Sequence, residues 1–543
     1  MRQKRSKLQI TRRSLLCGGT AFGGGLIGTR WRGLVPVPGA MAQTPASPPV
    51  VTQDNQRPQV PCGVMSGDPS NARAVIWSKT DRPARMIVEY ATSEDFRNPR
   101  RVAGPAALAN SDYTARLDLG DLPAGADLFY RVTFQDLADA KTLSAPATGR
   151  LRIPGTAGRT ITFAYSGDEA GQGWGINPEW GGYRVYEAMR RHSPDFFIHS
   201  GDQIYADGPI IAEVKTDDGK VWRNVTTEGK AKVAETLDEF RANFEYNLLD
   251  GNKRRFAAEV PLLVQWDDDE TRNNWYPGQM IGIDAYKVKS TSLLSAYARQ
   301  VMFEYNPMRI SGEDGDRVYR RIEYGPMLDV FMLDERSYRG ANSTNRQTAL
   351  NADAAFLGAV QLVWLKRSLL QSNVTWKLIA SDMPIGIVVP DLNKDVPQGT
   401  YEAWANADNG PPAGRELEIA SLLSFIKNNA IKNVVWVTAD VHYAAAFRYA
   451  PDHAAFTDFD PFWEFVAGPI NAGTFGPGEM DLTFGPETKF VSVPQGMKQN
   501  RSPFDGLQFY GIGRIDGETQ LLTMSLHDVE GKQIYKIELE PQV

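Results

Sequence analysis

Five apolar runs in this sequence end on acidic residues, and their repetition is the feature most suggestive of chemistry. Ile161-Thr162-Phe163-Ala164-Tyr165 leads to Ser166-Gly167-Asp168, and Asp195-Phe196-Phe197-Ile198-His199 leads to Ser200-Gly201-Asp202. Leu262-Leu263-Val264-Gln265-Trp266 runs into Asp267-Asp268-Asp269-Glu270, and the run from Leu328 to Leu333 meets Asp334-Glu335-Arg336. Asn433-Val434-Val435-Trp436-Val437 leads to Thr438-Ala439-Asp440-Val441-His442. Short apolar runs bounded by turn residues read as buried strands, and ligands of α/β sheets bind in the crevice beyond the strand carboxyl ends. Carboxylates sharing one crevice repel each other unless a cation neutralises them. A single such Asp reads equally well as a helix N-cap; the ordered set predicts a metal cluster.

Histidine supply then bears on which metal. The chain has five, and only His199 and His442 lie at these strand ends. A two-zinc or two-manganese centre rich in imidazole is therefore hard to furnish, while carboxylates, Asn, backbone and water favour Ca²⁺. Tyr205 and Asp202 beside His442 could add one Lewis-acidic Fe³⁺ through a phenolate. Other schemes lack their parts: there is no G-x-S-x-G elbow and no Walker P-loop. Gly23 to Gly28 fits G-x-G-x-x-G, but no strand precedes it and no helical pattern follows.

The elements that must position these residues follow from periodicity. After Pro154, strands alternate with helical stretches at Tyr183–Arg191, Val233–Leu248, Leu293–Met302, Leu357–Leu370 and Leu417–Asn429, which predicts a layered α/β domain over 155–543. Leu521–Leu526 and Ile534–Leu539 alternate like a closing hairpin around Glu530-Gly531. Residues 59–154 carry short β runs separated by turn residues: Ala74–Trp77, Arg85–Tyr90, Tyr113–Leu117 and Leu128–Val132. That spacing predicts an immunoglobulin or fibronectin-like β-sandwich with no residue catalytic by type. Residues 43–58, rich in Pro, Thr, Ser and Gln, read as a linker.

Residues 1–42 read as a leader. They hold eight Lys or Arg and no acid, with Thr11-Arg12-Arg13-Ser14-Leu15-Leu16 before a weakly apolar, Gly-rich stretch and Ala40-Met41-Ala42 as a cleavage site. The Arg pair is the twin-arginine pattern, which predicts use of that export machinery and a periplasmic or extracellular destination. Setting aside those eight positives takes the formal charge from −6 to −14, which argues against general nucleic-acid binding and suits carboxylates that hold hard cations. Only Cys62 remains beyond residue 42, so the mature chain has no internal disulfide and no Cys-based zinc cage. No run reaches the roughly 20 apolar residues of a membrane span.

At these residues the chain resembles the PhoD-like alkaline phosphatase and phosphodiesterase family. Gly63-Val64-Met65-Ser66-Gly67-Asp68-Pro69 with Ala74-Val75-Ile76-Trp77 resembles the opening of its N-terminal sandwich, and Gly201-Asp202-Gln203-Ile204-Tyr205 its G-D-x-I-Y motif. Trp266-Asp267-Asp268-Asp269-Glu270 with Asn273-Asn274 resembles W-D-D-H-E-x-x-N-N, Leu333 to Arg339 resembles L-D-x-R-x-Y-R, and Asp440-Val441-His442 its final D-x-H. The resemblance implies metal ligation by Asp168, Asp202, Tyr205, Asp268, Asn273, Asp440 and His442, with Asp202 bridging metals and Tyr205 binding iron. Asn274 stands as the alternative to Asn273. Two positions depart from the pattern: Asp168 occupies the loop where well-known members carry a Cys ligand, and Asp269 replaces the His of D-D-H-E.

The expected activity is a secreted, metal-dependent phosphoesterase acting on phosphate mono- and diesters, with Asp202, His442 and Arg336 in catalytic roles. Arg336 would offset charge on the phosphoryl group, or serve as a structural ion pair. Arg415 is the weaker candidate, reading as a helix-start residue. Two alternatives stand beside this: a phospholipase D-like diesterase, and a non-enzymatic secreted calcium-binding module.

Overall fold

The computed structural model describes residues 53–155 and 158–542; the leader expected at residues 1–42 and residues 43–52 of the expected linker lie outside the described residues. Seven strands come first: β1 (Val64–Ser70), β2 (Arg73–Lys79), β3 (Ala84–Ala91), β4 (Arg100–Ala107), β5 (Thr114–Leu119), β6 (Asp127–Asp136) and β7 (Ala147–Arg152). Along β6, buried and more exposed positions alternate, the period of a strand with one face in a core. Antiparallel β4-β3-β6-β7 packs that face on β1, β2 and β5, with Val88, Tyr130, Val132 and Phe134 against Val64, Ile76 and Leu119. The expected sandwich is present. Its second sheet is not its own, however, because β1 continues into the strands of the following region.

That region contains β8 (Ile161–Ser166), α1 (Arg184–Arg190), β9 (Phe196–Ser200), the small ribbon β10 (Glu213–Lys215) and β11 (Val221–Arg223), α2 (Leu237–Asn247), α3 (Gly251–Glu259), β12 (Leu262–Gln265) and α4 (Thr291–Tyr305). It continues with β13 (Arg320–Glu323), β14 (Leu328–Met332), α5 (Gly358–Gln371), β15 (Trp376–Ala380), α6 (Glu416–Asn428), β16 (Val434–Thr438), β17 (Ala445–Tyr449), β18 (Phe462–Val466) and β19 (Pro486–Val491). Three strands, β20 (Phe509–Ile515), β21 (Leu522–Asp528) and β22 (Gln533–Leu539), close the fold. Helix α2 begins later than its periodicity suggests because Thr236 and Glu239 form a capping box there.

Two large sheets result, ordered β22-β21-β20-β8-β9-β12-β1-β2-β5 and β13-β14-β15-β16-β18-β17-β19. Within them β8, β9 and β12 run parallel, as do β14, β15, β16 and β18. Alternate residues of the first set enter different cores: Phe163, Tyr165, Phe196, Ile198 and Leu263 pack with the second sheet, while Ala164, Phe197 and Val264 pack with residues of α1 to α4. Burial on both faces explains the unbroken apolar runs. Each fully buried large apolar side chain contributes about 1.5–3 kcal/mol, so the strands are firmly held and their carboxyl ends form a stable platform.

Candidate metal centre

The strand ends bend sharply where the acids stand. Asp168, Asp202, Asp440 and His442 all have positive φ, between 51° and 67°, a region that non-glycine residues enter rarely and that clusters at functional sites. Gly201 makes one bend possible: its φ is 98°, and a Cβ there would lie 2.4 Å from that of Asp267. Glu270 ties two of these loops together. Its carboxylate accepts the backbone N–H groups of Asp202, Gln203 and Asp267 at 3.2, 2.7 and 2.8 Å, so it positions the acids without being one of the cluster.

Three overlapping groups of buried or half-buried ligands result. Asp168, Asp202 and His442 bring ligand atoms within 4.8 Å of one another, as do Asp202, Asp268 and Asp269, and likewise Asp267, Asp268 and Asp440. Asp202 belongs to two groups and Asp268 to two, so the cluster is continuous. The donor set fits hard cations on a direct observation: both carboxylate oxygens of Asp168 and Oδ1 of Asp269 are buried without a hydrogen-bond partner, a costly state unless a cation answers them. Burial first, then Asp268 and Glu270, pushes the carboxyl of Asp168 well above its ordinary range. Burial, then Asp269, Asp267 and Asp268, does the same for Asp202. Protons and metal ions thus compete for these oxygens.

His442 is oriented like a metal ligand. Its Nδ1 lies 2.6 Å from the carbonyl oxygen of Gly473; a carbonyl only accepts, so Nδ1 carries the proton and Nε2 keeps its lone pair. Nε2 faces the Tyr205 hydroxyl at 2.9 Å and Asp168 Oδ1 at 3.8 Å. Burial lowers the imidazole to about 4, favouring the neutral form that ligates. Burial, then Asp202, Asp168 and Asp269, raises the Tyr205 phenol well above 10, so only a strong cation would hold it as phenolate.

Other anticipated residues have different surroundings. Asn273 is exposed, with its amide nitrogen 3.4 Å from Asn393 Oδ1. Asn274 is buried and gives its backbone N–H to Asp268 Oδ2 at 2.5 Å and its amide to Asp391 at 3.1 Å. Asp334, which follows β14, lies outside the three groups and caps its own turn by accepting from Trp266 Nε1 and from the backbone N–H groups of Arg336 and Ser337. His199 lines a small internal cavity with Lys253 and Gln203 on the helix side of β9. Arg336 is fully buried, with its guanidinium on Asp267, Glu402 at 2.7 Å and Asp382 at 3.2 Å. It neutralises the acids from behind and has no open face toward a phosphoryl group, so the ion-pair reading fits it better. Arg415 precedes α6 and donates to the carbonyls of Tyr401, Ala403 and Gly340.

Several contributors were not anticipated as site residues. Asp269 joins a ligand group outright. Asp382, two residues past β15, was an acid-tipped strand legible in Leu378-Ile379-Ala380-Ser381-Asp382. Glu402 lies in a long loop and has no such signal.

Carboxylates from the strand ends of two packed sheets, joined by one neutral imidazole and a phenol, define a metallophosphatase-type hydrolase. The profile described as PhoD-like phosphatase matches residues 163–526, and that of the PhoD-like phosphatase N-terminal domain matches residues 43–155. The chain belongs to the PhoD-like phosphatase family and is a hydrolase of phosphoric esters. It is 28% identical over 440 residues to alkaline phosphatase D of Bacillus subtilis (strain 168), covering 76% of this chain and 70% of that protein. A solved structure of PhoD superposes with a TM-score of 0.64 at 20% identity, over 89% of this chain and 92% of that one. A purple acid phosphatase from yellow lupin (Lupinus luteus) seeds gives 0.53 at 11% identity, over 88% and 74%. No described helix is long and apolar enough to cross a membrane.

Proposed function

We propose that the chain hydrolyses phosphate mono- and diesters at a centre of Ca²⁺ and one Fe³⁺, held by Asp168, Asp202, Tyr205, Asp268, Asn274, Asp440 and His442. Asn274 here replaces the expected Asn273, because it is buried and tied to Asp268 while Asn273 is exposed. The observation that carries the reading is Asp202, whose carboxylate reaches both the Asp168–His442 group and the Asp268–Asp269 group. When bound, such cations polarise the phosphoryl group and make a water nucleophilic near neutral pH. The protein's own work is to gather the ligands and fix their protonation. Glu270 anchors the Asp202 loop, the Gly473 carbonyl holds the His442 tautomer, and Arg336 offsets the negative charge of Asp267 and Glu402.

Iron is the part of this reading most open to a direct test. Purified protein loaded with metal should absorb visible light through the Tyr205 phenolate, and Tyr205→Phe should erase that band and most activity. A colourless, iron-free and fully active preparation would return the site to calcium alone.

Export is proposed to use the Arg12-Arg13 leader, with mature organisation beginning near residue 43, a sandwich to 154 and the catalytic region from 155. Changing both arginines to Lys should leave an uncleaved precursor inside the cell, read by blotting cell and exported fractions. Normal processing of that variant would exclude the twin-arginine route.

A further inference from the structure

Glu169 directly follows Asp168 in the chain, yet its buried carboxylate is held from three other elements. It pairs with the buried Lys253 of α3, accepts the Tyr186 hydroxyl of α1 at 2.8 Å, and lies 3.8 Å from Nε2 of His199 on β9. Among the described residues Glu169 is the only ion-pair partner of Lys253. Helix α3 is itself fastened to the start of α1, because its cap Asp250 also accepts the Tyr183 N–H at 3.0 Å. None of Glu169, Lys253 and Tyr186 lines the cavity of about 730 Å³ into which Asp202, Asp268 and Asp440 open.

The main chain beside Glu169 braces two ligand loops at once. The N–H of Asp168 donates to the Gly201 carbonyl at 3.3 Å, and that of Glu169 to the Asp202 carbonyl at 3.0 Å. On the other side Ala170 donates to the Asn471 carbonyl at 2.8 Å, and Asn471 donates to the Asp168 carbonyl at 3.1 Å. Asp168 and Ala170 hold positive φ, 67° and 68°, conformations that persist only where the surroundings enforce them. Asp202 and Asp268 each have a carboxylate oxygen fixed by a backbone N–H, from Asp269 at 3.1 Å and from Asn274 at 2.5 Å. Asp168 has no hydrogen bond on either oxygen, so its aim depends on the turn that carries it.

We infer that Lys253 is a positioning residue for the metal centre: by holding Glu169 on the helix side, it fixes the 168–170 turn that aims Asp168 and supports the Asp202 loop. The inference rests on the reading of Asp168 as a metal ligand. Lys253 touches neither the ligand atoms nor the cavity, and it acts only through the side chain next to one ligand. Both members of the pair are buried, so removing one leaves the other without a counter-charge. The freed carboxylate then draws Glu169 away from α3, and the turn moves with it. Removing both charges relieves that penalty but does not restore the tether, which separates positioning from stability.

Three variants of the full chain test this: Lys253→Met, the double variant Lys253→Met with Glu169→Gln, and Asp168→Asn. Each is loaded with Ca²⁺ and Fe³⁺ and challenged with graded chelator, with retained metal read by elemental analysis and the urea midpoint of the metal-free protein measured alongside. Lys253→Met should weaken metal retention by about 10–100-fold, the usual cost of losing an outer partner of a ligand. With p-nitrophenyl phosphate at saturating metal it should lower kcat while leaving KM within about twofold, since an interaction with the bound ester is not what is lost. The double variant should recover most of the urea midpoint but not the metal retention. Wild-type metal retention in the double variant would overturn the inference even if Lys253→Met alone did not fold, and so would a raised KM with unchanged kcat in Lys253→Met. Asp168→Asn separates the two readings: wild-type metal retention in that variant would remove Asp168 from the ligand set, and the inference with it. Loss of metal in Asp168→Asn with full retention in the double variant would overturn the positioning role alone.

Discussion

Asp202→Asn should strip the centre of metal and lower turnover by at least about 100-fold. Changing mere outer partners of metal ligands already costs roughly 10–100-fold, and Asp202 is shared by two ligand groups. The substitution keeps the side chain's shape but removes the negative charge that pairs with cations. It also removes one of the mutually repelling carboxylates, whose charged form burial and Asp269, Asp267 and Asp268 disfavour in the metal-free protein. The metal-free variant should therefore melt no lower than metal-free wild type, while metal analysis and ester hydrolysis both fall. A variant that retains full metal content and full turnover would remove Asp202 from the bridging role.

Glu402→Gln should be among the most destabilising single changes in the chain, at about 3–5 kcal/mol, the usual cost of leaving buried charges uncompensated. Glu402 is fully buried, and its carboxylate meets Arg336 at 2.7 Å and Arg339 at 2.9 Å. Burial pushes its pKa up, but Arg336, Arg339 and Arg415 outweigh that and hold it down to about 2. Because the folded value is depressed, the stabilisation is fully present above the ordinary Glu range, near 4.5. It is lost as pH falls toward 2. Chemical denaturation of the metal-free variant at neutral pH reads the effect apart from metal binding. A loss below about 1 kcal/mol, the scale of an exposed ion pair, would mean that the arginines find other partners.

Much of the platform could be read in the chain because its central strands are buried on both faces. An apolar run that stops at an acid needs no partner to be noticed, and four of the five runs deliver acids to the overlapping groups. The fifth, at Asp334, looks the same in sequence but is consumed by a Trp266 indole and its own turn, contacts with no local signature. The same limit hid Glu402, whose three arginines lie at residues 336, 339 and 415. Helix α3 escaped notice because its first turns read Gly251-Asn252-Lys253-Arg254-Arg255, with almost nothing apolar to set a period; its Asp250 cap, accepting from Lys253 N at 2.8 Å, was the available sign. Helix α2 likewise displayed its start in Thr236-Leu237-Asp238-Glu239. Least legible was the joining of β1 to β12, since a strand's neighbour across the sheet leaves no trace beside it in the chain.

That joining has a consequence for how the molecule is made. The first large sheet takes β1, β2 and β5 from near the start of the described chain and β20 to β22 from its end, with the acid-bearing β8, β9 and β12 between them. Gly67 pairs with Leu262, and Ala164 pairs with Ile512. Pairings this distant must meet a large loop-closure entropy before any contact rewards it. A nascent chain therefore presents β1 with an open edge until residue 262 has emerged, and β8 with one until residue 511 has. Unpaired edges of this kind invite association with other chains. Assembly of the catalytic sheet is thus a task for the finished polypeptide, and the interval between first and last strand is when this protein is most exposed to aggregation.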